Sequence, residues 1–159
     1  MNAGKALFLG SMLALLVPVV MAADAAADSS VGTWKLNVAK STFGSGTVPK
    51  SETRTYSATS LGTHLVIEGE DSAGKKSKTE LLLTYDGQPQ KVAGNGDFDA
   101  VSTKRLDKYE TTADLYKGGK VVGSVRRLVA KDGKSMTINQ KVLKPDGSTE
   151  TSLGLYERQ

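Results

Sequence analysis

From residue 61 onward, turn signals recur at intervals of about ten to fourteen residues, and nothing with a helical period lies between them. They read LGT at 61, DSAGK at 71, DG at 86, GNGD at 94, LDK at 106, KGGK at 117, KDGK at 131 and KPDG at 144. Asp-Gly, Asn-Gly and Gly-Gly supply the positive φ angles that tight hairpins need. The intervening segments are rich in Val, Thr, Leu, Ile and Tyr, and many alternate. THLVIEG puts Leu65 and Ile67 on one face and His64 and Glu68 on the other; KTELLLTY puts Thr79, Leu81, Leu83 and Tyr85 together; SMTINQKV does the same for Met136, Ile138, Gln140 and Val142. The pattern predicts about ten strands, near 31–37, 52–60, 64–71, 76–85, 88–93, 98–105, 108–116, 121–130, 135–143 and 148–157. Short connections make neighbours antiparallel. With no helices to cover its apolar face, such a sheet must close on itself or fold into a sandwich. A meander this regular favours closure, which also removes exposed edges. The expected fold is therefore all-β, an antiparallel up-and-down barrel of about 8–10 strands. The one long connection, Asn37 to Ser51, has room for one helical turn near Val38–Thr42 and is a candidate lid over one mouth.

The chain opens differently. Lys5 precedes an apolar run from Ala6 to Val20, and small residues follow at Ala22, Ala23 and Ala25. This is the layout of a secretory signal peptide, too short and too interrupted for a comfortable membrane span. Residues 1–22 are read as signal peptide, 23–30 as a flexible segment and 31–159 as one barrel domain. The product is expected to be exported, periplasmic or secreted, not membrane-spanning once cleaved, and monomeric. The chain has no cysteine, which excludes disulfides and thiolate chemistry. Its net charge is +4 and its pI about 9.2. The basic residues are dispersed among acids, which argues against a nucleic-acid footprint.

VGTWKLN at residues 31–37 carries Gly32-x-Trp34 at the start of the first strand, and the chain closes on LGLYERQ. The sequence resembles the lipocalin and fatty-acid-binding-protein superfamily, and is similar to small exported bacterial lipocalin-like proteins of unassigned function. The resemblance implies that Trp34 plugs the closed end of the barrel. It also implies an interior arginine on the third strand from the end, where Arg127 falls. Two features depart from the fatty-acid-binding pattern. Asn37–Ser51 is short for two lid helices, and Gly154 stands where an arginine would precede Tyr156.

Arg126-Arg127 can be placed from the residues alone. A two-residue loop at Asp132-Gly133 sets Arg127 opposite Ile138 and Val125 opposite Gln140. Val121, Gly123, Val125, Arg127 and Val129 then share the more apolar face and point inward, while Arg126 faces solvent. Arg127 comes within reach of Gln140. A guanidinium in an apolar cavity offers a fork of donors to a carboxylate or phosphate. Near a barrel mouth it could instead pair with a carboxylate such as Glu157.

The pattern leads to an exported binding barrel for a small, largely apolar, lipid-like ligand with an acidic head group, oriented by Arg127 and Gln140. Walls are expected from Trp34, Leu36, Leu65, Ile67, Leu81 and Leu83 on one side, and from Leu115, Val125, Met136 and Ile138 on the other. Tyr56, Tyr85 and Tyr109 would line the cavity or cap its rim. The alternative is a structural or interaction barrel whose interior is filled by side chains, working through its outer surface or loops, with Val66 and Leu82 as candidate contacts. No catalytic constellation, metal site or cofactor site is expected. His64, the only histidine, lies on an outward face with no nucleophile elbow anywhere. Asn95, Asp97 and Asp99 alternate like a calcium loop but lack its glycine and closing glutamate. GSGT and KGGK do not join a strand to a helix, so they make no phosphate loop. Glu68 and Glu70 share an outer face.

Overall fold

The computed structural model describes residues 28–44, 48–94 and 97–159. The signal peptide read at 1–22, and 23–27 of the segment after it, lie outside these residues. Ten antiparallel strands follow one another: β1 (Gly32–Leu36), β2 (Pro49–Thr59), β3 (Gly62–Asp71), β4 (Lys76–Leu83), β5 (Gln90–Lys91), β6 (Ala100–Arg105), β7 (Glu110–Lys117), β8 (Lys120–Val129), β9 (Ser135–Leu143) and β10 (Thr149–Arg158). Except for β4 and β5, each pairs with its neighbours in sequence, and β10 returns to pair with β1. Between the β4 and β5 edges the described residues hold one bridge, from Glu80 of β4 to Ala93 just after β5, which exchange bonds of 3.0 and 3.1 Å. The fold is thus an up-and-down antiparallel barrel, nearly closed. Among the described residues no helix is long and apolar enough to cross a membrane. The one helical turn described is the 3₁₀ turn Val38–Lys40 in the long β1–β2 connection.

Aspartates make the turns. Asp71 Oδ1 accepts from the Ala73 and Lys75 amides at 2.9 Å each. Asp107 Oδ1 takes those of Tyr109 and Glu110 at 2.7 and 2.8 Å, and Asp132 Oδ1 that of Lys134 at 3.0 Å. These side chains bond backbone donors that the strand ladders leave free.

The β8–β9 register sets Arg127 against Ile138 and Val125 against Gln140, as the turn chemistry predicts. Further along β8 the face assignment changes. The β7–β8 ladder runs Leu115–Gly123 and then Tyr116–Val121, a β-bulge that leaves Val122 over. Val122 therefore packs on the core, while Val121, expected inside, is exposed.

One end of the barrel is closed. Trp34 and Met136 are fully buried there, beside Val129. The Trp34 indole donates to the Ser30 carbonyl at 2.6 Å. The Arg158 guanidinium lies 4.2 Å from the ring centroid and donates to the carbonyls of Gly133, Val31 and Ser29. Gly32 has φ of 131°, and a Cβ there would sit 2.4 Å from Arg158 Nη1. The glycine of Gly-x-Trp is thus required both by its backbone and by the arginine that crosses it.

Candidate functional site

Arg127 points inward from β8 and is 6% exposed. Its partner is neither Gln140 nor Glu157. Nη2 lies 3.2 and 3.4 Å from the two carboxylate oxygens of Asp28 and donates to Thr111 Oγ1 at 2.7 Å. The guanidinium carbon stands 5.0 Å from the centroid of the Tyr56 ring. Glu157 binds Lys40 and Asn37 on the outside instead, at 3.1 and 2.9 Å.

Asp28 belongs to the segment read as flexible, but residues 28–30 are packed into the closed end. Ser30 is fully buried, and the Ser29 amide donates to the Lys108 carbonyl at 3.2 Å. The Asp28 carboxylate accepts from the Ser30 amide and hydroxyl at 3.0 and 2.6 Å, from Thr63 Oγ1 at 3.0 Å and from the Tyr85 hydroxyl. Arg105 Nη2 is 3.3 Å away. Burial pushes this carboxyl upward, but Arg127 and the bonds from Ser30 and Tyr85 outweigh burial and hold it well below the usual carboxylate range. Tyr85 reaches Asp28 from a strained position. Its φ is 61°, the only positive value among the described non-glycine residues. The strain is held by its amide bond to Thr103 Oγ1 at 3.1 Å and by Arg105 stacked 4.2 Å from its ring centroid.

Above Arg127 the barrel holds a cavity of about 490 Å³, partly open to solvent. Ten of the expected residues line it: Tyr56, Leu65, Ile67, Leu81, Leu83, Leu115, Val125, Arg127, Ile138 and Gln140. Trp34, Leu36 and Met136 do not; they are buried core. Tyr85 lies beneath the cavity in the Asp28 network. Tyr109 packs against the core under Lys108, 4.8 Å from its ring centroid. Phe43, from the β1–β2 connection proposed as a lid, and Phe98, just before β6, line the cavity as well. Val66 and Leu82, expected on the outside, are half-buried. Asn95 of the calcium-like run lies outside the described residues; Asp99 accepts from the Gly118 amide at 2.9 Å.

A second polar cluster on the wall has no counterpart in the sequence reading. Arg54 Nε donates to Glu52 Oε1 at 2.6 Å and to the Tyr156 hydroxyl at 3.1 Å, and that hydroxyl donates to Glu52 Oε1 at 2.6 Å. Burial raises the Glu52 carboxyl, but Arg54 and the Tyr156 hydroxyl outweigh it, so it is held ionised. The signal was parity. Glu52, Arg54 and Tyr56 alternate along β2, so an inward Tyr56 carries both charged residues inward. A Cβ on Gly154 would lie 2.8 Å from Tyr156 Cε2, so the glycine makes room for the ring that Arg54 binds.

One donor on the site is unmatched. Arg127 Nε is buried and has no hydrogen-bond partner among the described residues. Such an orphan costs about 1–3 kcal/mol unless an acceptor arrives. Comparison of the chain with protein-family models, with curated proteins and with solved structures gives no match.

Proposed function

We propose that this protein is an exported small-molecule-binding barrel, akin to the lipocalin and fatty-acid-binding superfamily, that holds an amphipathic ligand inside. The observation that carries the reading is the cavity of about 490 Å³, within the range of small-ligand sites. Its apolar wall comes from Leu65, Leu81, Leu83, Leu115 and Ile138, and its polar groups are few and fixed by neighbours. Binding suits the site better than catalysis. The Asp28 and Glu52 carboxylates are ion-paired and held ionised, a state that offers no proton and is poorly basic. The layout of residues 1–22, a positive residue before an apolar run and then small residues, supports an extracytoplasmic setting.

The test is titration with Nile red, a neutral dye that brightens in apolar surroundings, together with native mass spectrometry of the purified protein. Saturable one-to-one dye binding is expected, weakened when Leu115→Trp narrows the cavity in a variant that still melts cooperatively. Dye binding unchanged in that variant would overturn an interior site.

A further inference from the structure

We infer that the ligand is a facial amphiphile, a rigid apolar skeleton with hydroxyl groups along one side, and not a head-and-tail lipid. This rests on the binding reading above and narrows it. The reason is where the cavity's polar groups lie. On the strands that line it, every charged or amide side chain and both tyrosines belong to β2, β10, β9 and β8: Glu52, Arg54 and Tyr56, then Tyr156, Gln140 and Arg127. These strands stand side by side around β1. Every leucine on the wall comes from the remaining arc, Leu65 on β3, Leu81 and Leu83 on β4 and Leu115 on β7, joined there by Ile67 and Val101. Val125 and Ile138 also stand among the polar strands, serine and threonine hydroxyls occur on both arcs, and Asp97 lies in the connection before β6.

The polar groups run along the cavity and are not gathered at one end. Tyr56 and Glu52 are four residues apart on β2, so at about 3.3 Å per residue the strip on this strand is about 13 Å long. A head-and-tail ligand, the form expected from Arg127 alone, presents its polar atoms at one depth only. An alkyl chain laid along the strip would bury its groups with no bond in return. Nor do the bonds that fix these groups exhaust them. Among the described residues Arg54 bonds through Nε and Arg127 through Nη2. Both bonds to Glu52 end on Oε1. Amino nitrogens and a carboxylate oxygen are left over, and the Gln140 amide on the same side can both donate and accept. A hydroxyl also does both, so a row of hydroxyls answers this side, while the leucine arc asks for continuous hydrocarbon.

The experiment is competition against bound Nile red at pH 8 with three carboxylates below their micellar concentrations: cholate, deoxycholate and dodecanoate. Cholate carries its three hydroxyls on one face of a steroid skeleton, deoxycholate lacks one of them, and dodecanoate is a head and a tail. Cholate should displace the dye at a concentration at least threefold below deoxycholate, although it is the less apolar of the two, and at least tenfold below dodecanoate. The double variant Tyr56→Phe/Gln140→Leu should erase the advantage of cholate over deoxycholate while still melting cooperatively. Should it fail to fold, Tyr56→Phe alone, which keeps the ring beside Arg127, should at least halve that advantage. Deoxycholate or dodecanoate binding better than cholate, or a bound dye that no probe displaces, overturns the inference and leaves the binding barrel standing. A cholate advantage untouched by the substitutions also overturns it, because the hydroxyls would then not meet this wall. No dye binding at all overturns both readings.

Discussion

Arg126 and Arg127 are neighbours in sequence with opposite environments, and substitution should separate them. Arg126 is exposed and bonded to Glu110 at 2.6 Å. Arg126→Ala should leave the urea midpoint unchanged. Arg127→Ala strands Asp28 inside the barrel and should cost about 3–5 kcal/mol, the range for breaking one side of a buried pair. Equal effects from the two would mean the guanidinium of Arg127 is not interior. The pair also sets a pH dependence. The Asp28 carboxyl is held below its unfolded value of about 3.9. Its stabilisation is complete above about pH 5 and is lost as pH falls through the folded value. The wild type should lose stability between about pH 5 and pH 2 more steeply than Asp28→Asn, measured by urea melts across that window; parallel curves would remove Asp28 from the network. That Arg127 points inward was legible, because the alternation of β8 and β9 agrees across one turn. Its partner was not. Asp28 lies 99 residues away, in an Ala/Asp/Ser run with no periodicity to give it a face.

At the scale of elements, the strands and their pairing follow from turn chemistry and alternation, whereas departures from alternation left no trace. The bulge on β8 falls at Val121-Val122, two identical side chains, so no pattern could say which turns inward. Glu52 and Arg54 were hidden by their own polarity, since charged residues on a strand ordinarily mark the wet face. The closed end is where an element depends on a single residue. β1 meets β10 with Trp34 opposite Arg158, and Gly32 is the point over which the arginine passes. Gly32→Ala meets both an unfavourable φ and the guanidinium, which three carbonyls hold in place. It should cost about 1–3 kcal/mol and quench less of the Trp34 emission shift on unfolding, because the ring is left wetter in the native state. A melt indistinguishable from wild type would show that the arginine moves aside freely.

For the whole molecule, the barrel has one weak seam. β2–β3 and β9–β10 are paired along nearly their full lengths, whereas among the described residues β4 is joined to the β5 edge by one bridge, from Glu80 to Ala93. Opening should begin there. Native-state hydrogen exchange should find the β4 and β5 amides facing the seam least protected, and those between β8 and β9 among the most protected. Uniform protection around the barrel would count against this order. The joining of β1 to β10 has a consequence for how the chain is made. Residue 28 leaves the ribosome long before its cation at 127 exists, and Trp34 long before Arg158. The interval from Asp28 to Arg158 is 130 residues, which at about 5–20 residues per second takes roughly 7–26 s to synthesise. Until β10 is made the first strand lacks one of its two neighbours, and for the first 77 residues of that interval the Asp28 carboxylate has neither Arg105 nor Arg127 beside it. The nascent chain is an open ribbon with an apolar face, accessible to chaperones, and the barrel forms only after its last strand is released.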